Sequence, residues 1–96
     1  MLWIIRRFNA RRKLRALPPE QREVALAMAA DCCHNAATAE DCELLAKNKL
    51  ESDPPVGFGV VEILAVIQVL IAIWKFIDSM GWLDRANRPM LEKELL

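Results

Sequence analysis

At 96 residues the chain holds one domain at most and room for only a modest core. Hydrophobic residues make up 54% of it and charged residues 27%, so the two classes must be segregated along the chain. Thirteen basic and 13 acidic residues cancel overall but not locally. Residues 1–17 carry Arg6, Arg7, Arg11, Arg12, Lys13 and Arg15 with no acid, and residues 40–53 are acid-rich. With three glycines, no tyrosine and abundant alanine and leucine, the composition favours helix over sheet throughout and predicts an all-α fold. Cys32, Cys33 and Cys42 are an odd count, and the apolar run at residues 2–5 is too short for a signal h-region. Reduced thiols are therefore expected in place of a secreted disulfide scaffold.

Residues 1–17 form a basic amphipathic arm. Trp3 and Phe8 beside the arginines suit a helix lying at an interface or on a partner; the alternative is a solvated arm with a sticky tip. Pro18-Pro19 opens the next segment, with Glu20 and Glu23 placed to favour a helix N-terminus. The helix is expected to run to about His34, with Val24, Met28 and Cys32 on one face and Asn35 as its stop. Thr38-Ala39-Glu40-Asp41 fits a capping box and predicts a third helix to about Glu51, with Cys42, Leu45, Ala46 and Lys49 on one stripe. Residues 18–51 then make a helical hairpin, or less favourably one kinked helix. Residues 52–55, Ser-Asp-Pro-Pro, are a stiff linker at the sharpest composition break in the chain.

Residues 56–79 read as a single membrane-spanning helix. The 22 residues 56–77 are broken only by Glu62, Gln68 and Lys75. At about 1.5 Å per residue they extend roughly 33 Å, enough to cross a bilayer core. Lys75 can snorkel, Trp3, Trp74 and Trp82 suit interfacial anchors, and Gly81 supplies a stop. Residues 80–96 form a short amphipathic tail, opened by Pro89 and expected to lie on a surface or dock on a partner. The competing reading is a buried core helix. Residues 19–51 offer mostly alanine, too little cover for such a helix in a monomer, so that reading calls for an oligomer sharing residues 56–77 as its core.

The polar residues of this segment are ordered. Ala65, Gln68, Ala72, Lys75 and Ser79 are spaced 3, 4, 3 and 4, one stripe of a helix. In a membrane such a stripe marks a helix–helix seam, so the expected partners are other membrane helices or further copies, besides the bilayer itself. Glu62 lies off the stripe and near the helix end; a carboxylate there is a functional candidate only as far as it is truly inside lipid. Nine of the 13 Lys and Arg residues precede the segment, which places the N-terminus on the cytoplasmic or interior side, although the bias nearly vanishes close to the span.

Little in the chain resembles reaction chemistry. Cys32-Cys33-His34 with Cys42 is the one cluster of metal-type ligands, but adjacent cysteines on a helix point about 100° apart and no second histidine exists. Small apolar packing is the expected role of the thiols, and a dipole partner at a helix end that of His34. No metal, no cofactor and no catalytic residue is predicted. The basic stretch Arg6, Arg7, Arg11, Arg12, Lys13 and Arg15 suits a membrane surface or the phosphates of nucleic acid. The expected function is a non-enzymatic, single-pass structural or assembly component of a membrane complex or membrane-containing virion, tying membrane to a protein or nucleic-acid layer. The alternatives are a small holin-like pore former and a soluble oligomeric helical bundle.

Overall fold

Each helix begins and ends where local chemistry dictates. The computed structural model describes all of residues 1–96 and contains five α-helices and no strand. Helix α1 (Leu2–Ala16) ends at Leu17, whose extended backbone is what a residue before proline adopts. Helix α2 (Pro19–Asn35) starts with proline in its first turn and stops at the extended Ala36. Helix α3 (Ala39–Ser52) is capped by Thr38, whose Oγ1 accepts from the Asp41 N–H at 3.1 Å. Helices α2 and α3 are separate and pack on each other, and α1 takes in residues 2–16.

Helix α4 (Val60–Met80) begins four residues later than the apolar run does. Residues 56–59 form a turn in which the Phe58 N–H donates to the Pro55 carbonyl and Gly57 takes φ +82°. Gly59 is the N-cap. Its N–H donates to Glu62 Oε1 at 2.6 Å, half of a capping box, so Glu62 has a local structural role at the helix start. The other end is a Schellman motif: Gly81 at φ +71° donates to the Asp78 carbonyl, and the Trp82 N–H reaches the Ile77 carbonyl at 3.1 Å. Helix α5 (Arg88–Leu95) is capped by Asn87, whose Oδ1 accepts from the Met90 N–H at 2.9 Å.

By length and composition α4 is able to cross a membrane, with 21 residues and a mean hydropathy of 2.3 over its most apolar stretch. In this fold it lies against α1, α2 and α3, and about half of that stretch is buried. The three covering helices form a layer with α2 in the middle, and α5 packs behind it against α1 and α2 without reaching α4. The radius of gyration is 12.1 Å, close to the ~12.5 Å of a globular chain this size, so α4 does not project as a mast.

Small residues make the close approach possible. Ala25, Ala29, Cys32 and Cys33 of α2 and Cys42 and Ala46 of α3 are all buried. The alanine-rich hairpin alone leaves α4 under-covered, and the arm completes the cover by burying Ala10 and Leu14. The tail differs from the sequence expectation of a surface or partner-docking segment. Leu91 and Leu95 are fully buried because α5 docks on this chain's own α1 and α2.

Candidate interaction surfaces

The basic residues sit on a helix with two unlike sides. Ala10, Leu14 and Leu17 point into the bundle, at the 4 and 3 spacing of one helical face. Arg6 and Arg7 flank that buried line and serve the fold. Arg6 Nη1 donates to Ser79 Oγ at 2.6 Å, joining α1 to the end of α4, and Arg7 Nε stands 3.6 Å from Glu94 Oε2 on α5. The outward side carries Ile4, Ile5, Phe8, Arg12 and Arg15, all exposed, with Arg11 half-buried beside them. Phe8, Arg11, Arg12 and Arg15 line an open depression of about 370 Å³. Arg15 donates to the backbone oxygen of Leu96 at 2.7 Å and Arg12 reaches Asn9 Oδ1 at 3.4 Å, while no acidic side chain pairs with Arg11, Arg12 or Arg15.

The stripe on α4 coincides with the edge of its uncovered side. Gln68 and Lys75 are exposed, Ala65 and Ser79 are half-buried, and Ala72 is buried. Ser79 Oγ donates to the Lys75 carbonyl at 2.8 Å as well as accepting from Arg6. The exposed positions of the helix from residue 61 onward, Val61, Leu64, Gln68, Lys75 and Asp78, fall within an arc of about 100° at 100° per residue. Asp78 belongs to this arc and lies outside the five-residue stripe read from the sequence. The arc is polar toward the C-terminal end and apolar at the start, where Val56, Val60, Val61 and Leu64 are exposed. That patch was not legible as a separate surface, because it merges into the apolar run.

The tryptophans are placed differently from one another. Trp3 is 41% exposed, Trp74 only 6%. Trp74 therefore lies inside the bundle, and its buried Nε1 has no hydrogen-bond partner. Trp82 is half-buried, meets Phe76 edge to face at 6.4 Å, and carries Arg85 over its ring at 5.9 Å.

The three thiols are free and buried, two of them, Cys32 and Cys42, where α2 meets α3. Cys32 Sγ donates to the Cys42 carbonyl at 3.6 Å. A hydrogen bond from Cys42 holds the Cys32 thiol below its ordinary value and, with burial, pushes Cys42 up. Burial, with Cys32 beside it, pushes Cys33 up to about 12. No group of three or more His, Cys, Asp or Glu residues gathers as a metal site. The hairpin is tied on the outside by Lys49 Nζ to Asp31 Oδ2 at 2.5 Å, a contact that raises the lysine above its ordinary value. Near it an open depression of about 500 Å³ runs along one face of α3 between Asp41 and Ser52.

Compared with protein-family models, with curated proteins and with solved structures, the chain matches none.

Proposed function

We propose that this chain is a non-enzymatic assembly component that works as a folded five-helix bundle, with α4 as its core and its outer helix faces as its binding surfaces. One observation carries the reading. Val66, Leu70, Ile73 and Ile77 of α4 are buried in the bundle that α1, α2 and α3 form around it, while its uncovered line, apolar at Val61 and Leu64, turns polar at Gln68, Lys75 and Asp78. A core helix in water needs that distribution, with an apolar face wider than its polar line. A larger membrane-bound assembly or membrane-containing virion is the proposed setting.

A second reading is favoured by a different observation. The 21 residues and mean hydropathy of 2.3 suit α4 as a single span, with the bundle opened so that lipid replaces α1–α3. The arginines of α1 would then leave α4, breaking the Arg6–Ser79 bond.

Alkaline carbonate extraction of membranes from cells expressing the chain separates the two. A folded bundle, bound to a membrane surface or free, is released to the supernatant. Retention in the pellet until detergent is added would overturn the bundle reading in favour of the span.

A further inference from the structure

The first turn of α1 overhangs the bundle. Residues 1–5 are all exposed, whichever way they point around the helix. Met1, Leu2, Trp3, Ile4, Ile5 and Phe8 are six of the twelve large apolar side chains the protein exposes, packed into eight residues. A monomer in water has no use for such a concentration at one tip, and a contiguous apolar patch of this kind marks a contact surface.

The same outward side changes character along its length. Ile4, Ile5 and Phe8 give way to Arg11, Arg12 and Arg15, three to four residues apart and so one above another on the helix. From Ile5 to Arg12 the rise is about 10 Å, and to Arg15 about 15 Å. The polar layer on each side of a bilayer core is about 5–8 Å thick, and interfacial helices sink about 5–10 Å. With α1 tilted about 60° from the membrane normal, those rises become heights of about 5 and 8 Å, so a tip seated at the acyl boundary puts the guanidinium groups at the level of the lipid phosphates. No acidic side chain of the chain pairs with Arg11, Arg12 or Arg15, so Arg11 and Arg12 are open to phosphate, and Arg15 would exchange its bond to the Leu96 oxygen for one. Arginine also suits phosphate oxygens, through its planar fork of donors.

We infer that α1 docks the folded bundle onto the surface of an anionic phospholipid bilayer, with the 1–8 tip in the acyl boundary and Arg11, Arg12 and Arg15 on the phosphates. This rests on the bundle reading, since packing on α4 is what turns this side of α1 outward. The apolar tip is what favours a bilayer over nucleic acid, whose phosphates would engage the arginines and leave Leu2, Ile4 and Ile5 in water.

The test is flotation of the purified full chain with vesicles of phosphatidylcholine alone and of phosphatidylcholine mixed with phosphatidylserine. The chain should float with the mixed vesicles and not with the neutral ones. Binding should weaken as salt rises from about 0.15 M to about 1 M, where the screening length falls from about 8 to about 3 Å. R11Q/R12Q should weaken partitioning by about 25-fold, at about fivefold per basic residue. I5S/F8S should weaken it by at least about tenfold at fixed charge. Ile5, Phe8 and Arg12 are exposed, and Arg11 is half-buried with no hydrogen bond or ion pair to lose, so an unchanged helical circular dichroism spectrum is expected of both variants. Absence of binding to the mixed vesicles, equal binding by the variants, or a shift of a DNA or RNA oligonucleotide by a chain that ignores vesicles would each overturn the inference and leave the bundle reading standing. Retention after carbonate extraction would instead overturn the bundle reading itself.

Discussion

Ile73→Ala is the most direct probe of whether α4 is a protein core. Ile73 is fully buried, and its neighbours on the same face, Phe76 and Ile77, are at most 1% exposed. The substitution removes three carbons from that site. At about 0.8 kcal/mol per buried carbon, transfer alone costs about 2.4 kcal/mol, and the residual cavity brings the total into the range of about 2–5 kcal/mol. A chain of this length has about 5–14 kcal/mol of stability in all, so the variant should lose a large share of it. Urea titration followed by circular dichroism at the helical band should show a lower midpoint with an unchanged slope, and the melting temperature should fall by more than about 8 °C. A helix whose side chains face lipid loses little by the same change, because lipid fills the gap. A loss below about 0.5 kcal/mol in water would therefore refute the packing described for α1, α2 and α3 around this position.

Three further outcomes follow from local features. Thr38→Ala removes the acceptor for the Asp41 N–H and should cost about 1 kcal/mol in the same titration, while Thr38→Ser should cost much less. Gly81→Ala places a Cβ at φ +71°, where nothing crowds it but the backbone itself disfavours it, and should lower stability by about 1 kcal/mol. Cys33 supplies a pH dependence. Its folded value is pushed up to about 12 from 9.0, so above pH 9 the unfolded chain releases a proton that the fold retains. The stability it contributes is constant below pH 9 and is lost between pH 9 and 12. Between pH 8 and pH 10 the Cys33→Ala variant should therefore lose about 1 kcal/mol less than the parent, measured by paired denaturant titrations.

The helix boundaries were legible wherever the determinant was a neighbour in sequence. Pro18, Thr38, Pro89 and Gly81 each place a helix end through their own backbone or side chain, and all four act where the sequence suggests. The start of α4 was harder, because hydropathy ignores backbone geometry. Val56, Gly57 and Phe58 belong to the apolar run by composition, but the turn at Gly57 ends their claim to the helix. Glu62 three residues after Gly59 is the signal for the true start, but a lone carboxylate inside an apolar run has the same appearance whether it caps a helix or interrupts one. The docking of α5 was illegible for a different reason. Two buried leucines in an eight-residue helix carry the same pattern whether they meet a partner or their own chain, and only tertiary contact with α1 and α2 decides.

The same ambiguity governs the surfaces of α1 and α4, and the charges are what separate the readings. A row of alanine, glutamine and lysine at 3 and 4 spacing marks a seam in lipid and a waterline in water. The two settings differ in what they do with full charges. A seam between membrane helices selects small and neutral polar residues, since each charge there costs about 2.5–3.5 kcal/mol or more. A waterline collects charges freely. Lys75 and Asp78 share the uncovered arc of α4 within one turn of each other, both exposed, and neither charged group forms an ion pair within the chain. Their position two turns or less from the helix end lets a span accommodate them by snorkelling, so they do not decide alone. Gln68 sits near the middle of α4, out of reach of either end, and is the sharper witness. In the bundle it is hydrated, and Gln68→Leu should leave stability within about 0.5 kcal/mol while extending the exposed Val61–Leu64 apolar strip by another turn. Sedimentation velocity should then show a new tendency to self-associate. If Gln68 instead bonds across a helix seam, the same change weakens association, and the sign of that shift distinguishes a hydrated edge from an intramembrane contact.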